Sequence, residues 1–434
     1  MVQDDGPVGL DGLRVEFDDE RAVSDAGVAL VATLVGRLGI ERLAGQLVRL
    51  RRDRAGAANA GRKVMAILYA MVLGADSIDD TELLRAGRTR RLLGGWIPAP
   101  STLGTFLRAF TFGHVRQLDA LLGRALERAW QAGAGPGGRL VIDVDSFVGE
   151  VCGRLKQGAA YGYTQVLGYH PILATRADTR EALHIRLRRG SANTQKGIAR
   201  FCDELIARVT RAGVSGVKLL RADSGFWNTK VFERLERAGW QYSIGVRMIK
   251  TVRATVEAID EAAWTSIADY PDDGEAQIAE SVYGGRRLIV RRTRLLGAQA
   301  ELWPDWRHFA FITNRDEDIA LVEAEHREHA VVEQVIADLK DQALAHFPSG
   351  RFNANAAWTV LAAVAHNLLR WTQLLGMPHT TVRAARTLRR RLLSIAGRLT
   401  RHARGWTLRL PARWPWHGDY LNALNRIRAL PAAA

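Results

Sequence analysis

Cysteine is almost missing from this chain. Cys152 and Cys202 are its two thiols in 434 residues, far apart and outside any C-x-x-C pair. That excludes a disulfide framework and a zinc ribbon, and it fits a reducing interior. Long hydrophobic runs are missing too. The most apolar stretch, AAWTVLAAVA at 356–365, is far shorter than the roughly 20 residues a transmembrane helix needs. It reads as a buried helix, and no membrane partner is expected. The acidic N-terminus has no apolar segment of the signal-peptide kind, so a cytoplasmic protein is expected. There is no Walker-type glycine loop and no G-x-S-x-G elbow, so ATPase and serine-hydrolase readings lack support. Internal repeats and low-complexity tracts are absent as well.

What the chain does have is positive charge. Lys plus Arg number 61 against 46 acids, a net +15. An excess of that size favours a polyanionic partner, bound through phosphate contacts and counterion release. The charge is uneven. Residues 1–25 are acid-rich, whereas 379–428 carry twelve arginines against the single acid Asp419. A basic section of this kind suits a nucleic-acid backbone. At about 150 residues per domain, two to four domains are expected.

The texture changes along the chain. LRVEF (13–17) looks like a short strand. From 28 to 130, apolar residues recur at three- and four-residue steps, which predicts a helical N-terminal section, 1–130, suited to binding DNA. Pro98 and Pro100 mark a turn there, with Ser101 or Thr102 as candidate cap, and the flanking helices have the outline of a helix-turn-helix. QAGAGPGG (131–138) is a linker by composition. After it come three strand-like runs, RLVIDVDSF, YTQVLGYHPILAT and ALHIRLRRG, and then helix, strand, helix and strand up to 248. That order predicts an α/β fold with a ribonuclease-H-like catalytic core, its first part at 138–248. Residues 249–308 read as a β-rich insertion. Residues 309–376 read as the second part of the core, with one helix over 323–342, and 377–434 as a basic C-terminal region.

Three acids stand out by context. Asp145 lies late in the first core strand, Asp223 ends the fourth in LLRADSG, and Glu333 lies on the helix after the insertion. Mg²⁺ prefers carboxylate oxygens, and two ions about 4 Å apart stabilise both oxygens of an in-line displacement at phosphorus. At about 100° per residue, His326, His329, Glu333 and Lys340 share one stripe beside an apolar face of Val332, Val335, Ile336 and Leu339. Asp143 and Asp145 face the same side of their strand but stand roughly 6–7 Å apart along it. If the two parallel strands begin level, Asp145 is the one beside Asp223, so Asp145 is assigned to metal and Asp143 to support.

Several aromatics are ambiguous. Tyr161, Tyr163 and Tyr169 can stack on bases, as can Trp264, Trp303 and Trp306, but packing is the commoner use. Trp227 and His366 read as core.

The segments IDVDSFVGEVCGRLKQGAAYGYTQVLGYHPILATRADTREALHIRLRRGSANTQKG, LLRADSGFW, WQYSIGVRMIKTVRA and GRFNANAAWTVLAAVAHNLLRW carry a resemblance. Over nearly the whole chain it resembles the DDE transposases of bacterial insertion sequences, most closely the insertion-sequence 1380 family. The resemblance implies a DDE core formed by Asp145, Asp223 and Glu333. It implies two Mg²⁺ ions, with Mn²⁺ able to substitute, and binding of terminal inverted repeats and target DNA. It further implies cut-and-paste movement, with a homodimer in the paired-end complex. The related signature is Tyr, two residues, Arg, three residues, Glu, six residues, Lys. Glu333 and Lys340 keep that spacing, while His326 and His329 stand at the Tyr and Arg positions. Both histidines are expected to contact phosphate or lie on plain surface, and Lys340 and Arg221 are expected to hold phosphate. A nuclease without strand transfer and an inactive DNA-binding derivative remain as alternatives.

Overall fold

The computed structural model describes residues 10–433 except 52, 54, 163, 269, 271–273, 297–304 and 404. Tyr163 and Trp303 lie outside the described residues.

The N-terminal section is helical. It contains α1 (Val28–Leu38), α2 (Ile40–Leu47), α3 (Ala60–Leu73), α4 (Pro100–Arg108) and α5 (Phe112–Ala129). LRVEF forms no strand: its alternation has no partner strand to pair with. The expected Ser101 or Thr102 cap is not used. Pro100 itself opens α4, where its missing N–H costs nothing. Thr111 caps α5 through a capping box with His114. The helix that follows the Pro98–Pro100 turn, α4, buries Leu103, Phe106 and Leu107 and leaves Ser101 and Arg108 exposed.

Residues 140–313 build one nine-stranded mixed sheet. Its strand β1 (Leu140–Ser146) pairs antiparallel with β2 (Ile172–Arg176), which pairs antiparallel with β3 (Ala182–Arg186) at the sheet's edge. On its other side β1 pairs parallel with β4 (Lys218–Ala222), and β4 pairs parallel with β5 (Gln241–Gly245). Helices α6 (Ile198–Arg211) and α7 (Thr229–Arg237) make the crossovers. The three antiparallel strands and two helix-linked parallel strands expected from the sequence are therefore present. YTQVLGYHPILAT, however, divides at His170–Pro171 between a small three-stranded sheet and β2.

Residues 249–308 do not stand apart as a subdomain. After α8 (Lys250–Glu257) come β6 (Thr265–Ser266), β7 (Gly274–Tyr283), β8 (Arg286–Leu295) and β9 (Arg307–Thr313). Strand β9 pairs with β5, and the sheet continues through β8 and β7 to β6. The β7–β8 turn is Gly284–Gly285, with φ of 57° and 74°, backbone that only glycine adopts without strain.

The helix expected over 323–342 is broken. It comprises α9 (Ile319–Arg327), a 3-10 turn at Glu328–Ala330 and α10 (Val331–Lys340). The apolar stretch at 356–365 lies inside α11 (Phe352–Gly376), nearly all of it buried. It packs against α3 and α5 on one side and β3 on another, so the N-terminal helices and the sheet share one hydrophobic core. The arginine-rich end is folded rather than loose. Strands Gly397–His402 and Gly405–Arg409 form a hairpin that pairs with Ala22–Val23, and α12 (His417–Ala429) packs on α1 and α11. Among the described residues, no helix is long and apolar enough to cross a membrane.

Candidate active site

Strand alternation puts Ile142 and Val144 into the core and turns Asp143 and Asp145 to the opposite face. Strands β1 and β4 are level: Leu140 is opposite Lys218, Asp143 opposite Arg221 and Val144 opposite Ala222. That offset of 78, continued one step, brings Asp145 beside Asp223 where both chains leave the sheet. The C-terminal ends of β1, β4 and β5 therefore deliver Asp145, Asp223 and Arg247 to one edge.

Asp145 and Asp223 share an electrostatic condition. Burial pushes the Asp145 carboxyl up to about 6. The Ser146 N–H, 2.6 Å away, and the His329 ring oppose that rise, while the negative charges of Asp223 and Glu333 add to it. Burial also raises Asp223, against the Gly225 N–H at 3.0 Å, His329, Arg247 and His170. Glu333 is exposed in the first turn of α10. Lys340, in its last turn, is exposed, with its ammonium 5.4 Å from the Phe147 ring centre.

Two residues expected to touch phosphate are engaged elsewhere. Arg221 is 2 % exposed and grips Asp143 through two bonds of 2.7 and 3.0 Å. It also donates to the Glu325 carbonyl and meets Glu328 at 3.4 Å. Asp143, fully buried, is raised by burial and opposed by Arg221. The pair ties β1 to β4 and to the end of α9, so Arg221 is a structural cation.

His326 departs from expectation too. Its Nδ1 lies 2.6 Å from Ser243 Oγ and its ring stacks on Phe311 at 4.1 Å. Burial pushes it down to about 3, leaving a neutral packing residue. His329 turns the other way, its Nε2 3.2 Å from the Val144 carbonyl. The 3-10 turn at Glu328–Ala330 separates the two, because a break in the helix resets the angular phase assumed for one stripe.

Sequence reasoning missed Arg247 and His170. His170 is buried, with Nδ1 2.6 Å from the Ala192 carbonyl. A strand end two residues past Gly245 and a His-Pro turn leading into β2 were the available signals. Tyr169 is core, wedged against Phe347 and Phe352, while Tyr161 is exposed. Trp264 and Trp306 sandwich Arg292, at 4.2 and 4.4 Å. Trp227 is partly buried against the main core, and His366 is a core histidine bonded to the Arg180 carbonyl at 2.8 Å.

The three acids do not close on one another as a ligand set. Among the described residues, the one cluster with ligand atoms all within 4.8 Å is Asp119, His184 and Glu204. It lies between α5, β3 and α6, away from Asp145. Its carboxylates are already taken by Arg208 and Arg116 on Asp119, and by Arg116, Arg186 and Arg200 on Glu204. Four guanidinium groups around two carboxylates repel a metal cation, so this is an ion-pair network joining the helical section to the sheet. Burial pushes Glu204 up, but the His184 hydrogen bond and the Arg186 and Arg116 charges outweigh it and hold Glu204 at about 2, below its ordinary 4.5. A depressed carboxylate contributes stability above its unfolded value and loses it as pH falls through the folded one. The Tm advantage of the wild type over Glu204→Gln is expected to shrink as pH falls from about 4.5 towards 2. An unchanged gap across that window would remove Glu204 from the network's energetics.

The fit of the edge to divalent metal rests on its donor chemistry. Asp145 and Asp223 are oxygen ligands held partly out of water with raised proton affinity, and Glu333 adds a third negative charge. A divalent cation offsets that charge, and oxygen donors are what Mg²⁺ selects.

The chain matches the family described as "Transposase DDE domain group 1" over residues 6–432. Among solved structures it is similar to a chain of the "piggyBac transposase synaptic complex with hairpin DNA", at 11% identity and a TM-score of 0.46. The similarity covers 86% of this chain and 80% of that one. No curated protein matches. With the family match running across nearly its whole length, this chain belongs to the DDE transposases of domain group 1.

Proposed function

We propose that this transposase cuts and joins the ends of a mobile DNA element, with Asp145, Asp223 and Glu333 as its metal-binding acids on a ribonuclease-H-like core. The observation that carries the reading is the level register of β1 and β4, which puts Asp145 beside Asp223 at the sheet edge. When bound, two Mg²⁺ ions, or Mn²⁺ in their place, neutralise phosphoryl charge and activate first water and then a freed 3′-hydroxyl.

The chain's own residues do the rest. Asp145 and Asp223 would supply ligand oxygens from rigid strands, and the exposed Glu333 would supply a third from α10. His329, fixed on the Val144 carbonyl, steadies the charge of the two aspartates. Lys340 and Arg247 offer exposed cations for DNA phosphate. Asp143 and Arg221 keep β1 and β4 level.

The partner is double-stranded DNA, both element ends and target. The helical section and the arginine-rich hairpin hold the ends, and two chains act together as a homodimer in the paired-end complex. The sequence resemblance supports an element among bacterial insertion sequences of the 1380 family, and a cytoplasmic enzyme.

A supercoiled donor plasmid carrying the inverted repeats that flank the gene tests this. Mg²⁺-dependent strand-transfer products are expected. Cleavage without joining would make the protein a nuclease, and binding without cleavage would make it an inactive derivative.

A further inference from the structure

The same sheet edge carries a cavity that the reaction does not use. It holds about 280 Å³ and is bordered by Arg186, Arg188, Arg189 and Lys196 over an apolar floor of Ile172 and Phe201. Ile172 is the register partner of Ser146, one residue beyond Asp145, so the cavity lies at the same end of the sheet but on the opposite face from Asp145. The loop between β3 and α6 forms one wall and presses on the Asp223 turn. A Cβ at Gly225 would lie 2.6 Å from the Thr194 methyl.

Arg188 is the unusual member. It is 8 % exposed, and it donates through Nε to the His170 carbonyl and through Nη1 to the carbonyls of Asn193, Thr194 and Lys196. Its Nη2 is buried with no hydrogen-bond partner. Every partner is neutral, and no carboxylate among the described residues lies within ion-pair distance of Arg188, Arg189 or Lys196. A buried guanidinium with an N–H that no protein group accepts, and no carboxylate in reach, favours an anion beside it. The second contribution is the start of the 14-residue helix α6, which borders the cavity at Gly197 and has no capping side chain. Helix N-termini of this kind attract phosphate.

We propose that this cavity binds one backbone phosphate of the DNA beside the scissile bond. The phosphate would sit on Arg188, Arg189, Lys196 and the first turn of α6, with the adjoining sugar on Ile172 and Phe201. The apolar floor favours a phosphodiester, which brings a sugar with it, over a hydrated free phosphate. The inference rests on the DNA-transposase reading above.

The test uses the full chain and a short labelled duplex of arbitrary sequence, since phosphate contacts ignore sequence. Affinity is measured against salt for the wild type, Lys196→Gln, Arg189→Gln, the double variant and Lys218→Gln. The last is a charge-matched control at the far end of β4. Each phosphate contact contributes about 0.9 to the slope of log K on log salt. Each cavity variant is expected to lose about 0.9, and the double variant no more, because both cations serve one phosphate. Lys218→Gln is expected to keep the wild-type slope. An unchanged slope in folded cavity variants, or an equal loss in Lys218→Gln, overturns the proposal. So does a Tm rise with inorganic phosphate that the cavity variants abolish while their slopes stay wild-type, which would mark a free-anion pocket. Plasmid cleavage by the wild type is followed in parallel. Cleavage with unchanged slopes sinks the cavity alone. Lost slope without any cleavage sinks the transposition reading and leaves the cavity.

Discussion

Asp223→Asn is expected to eliminate metal-dependent DNA cleavage while DNA binding survives, and Asp145→Asn is expected to do the same. Each substitution keeps the shape of the side chain and removes the charge that a divalent cation needs. Among the described residues, neither aspartate is part of an ion pair that holds the fold. Asp223 caps one short turn through the Gly225 N–H, and Asp145 accepts from its neighbour Ser146; an amide oxygen accepts the same bonds. Metal assistance is worth several kcal/mol of transition-state stabilisation, and 1.36 kcal/mol is a factor of ten, so a loss of about a thousandfold or more is expected. Glu333→Gln is expected to follow them, since Glu333 is exposed and has no packing role. Rates are compared on the donor plasmid, with a gel shift as the binding control. A variant that cleaves at the wild-type rate removes its residue from the site.

Asp143→Ala is expected to fail for a different reason. Asp143 is fully buried and is the bidentate partner of Arg221, itself 2 % exposed. Removing one member leaves a buried guanidinium without its counter-charge, which typically costs roughly 3–5 kcal/mol. The variant should melt well below the wild type, in contrast to Asp145→Asn, which should melt near it. Replacing the pair together, Asp143→Leu with Arg221→Met, should recover much of the loss, because apolar replacement of a buried pair is often close to neutral. The Glu325 carbonyl would still lose its donor, so recovery should be incomplete. Thermal melts of the single and double variants decide this. An Asp143→Ala protein as stable as the wild type would show that the pair does not hold the strands.

Much of this arrangement was legible in the residues. Alternation in VIDVDS put two aspartates on one face, and counting from the strand starts favoured Asp145 as the neighbour of Asp223; the level register of β1 and β4 agrees. What alternation could not reveal was the occupant of the Asp143 position. Arg221 faces Asp143 only once the strands are in register, and two residues 78 apart carry no local mark of being partners. The stripe on the Glu333 helix misled because it assumed unbroken α-helix. The 3-10 turn at Glu328–Ala330 has no proline or glycine to announce it, and it sends His326 to Ser243 and His329 to Val144. The region 249–308 looked separate because a hairpin has the same pattern whether it closes its own sheet or extends another. Its attachment depends on β9 meeting β5, a pairing across more than sixty residues of chain. The N-terminal helices looked like a free unit for a similar reason. Their partner, α11, lies more than two hundred residues further along the chain.

The central claim is that metal binds at Asp145, Asp223 and Glu333 rather than at the tighter cluster of Asp119, His184 and Glu204. Mn²⁺ binding followed by electron paramagnetic resonance separates the two directly, in folded wild type, Asp223→Asn and Asp119→Asn, each with bound duplex. Loss of Mn²⁺ binding in Asp223→Asn, with wild-type binding in Asp119→Asn, is the predicted result. Binding retained in Asp223→Asn and lost in Asp119→Asn would contradict it and move the metal to the arginine-ringed cluster.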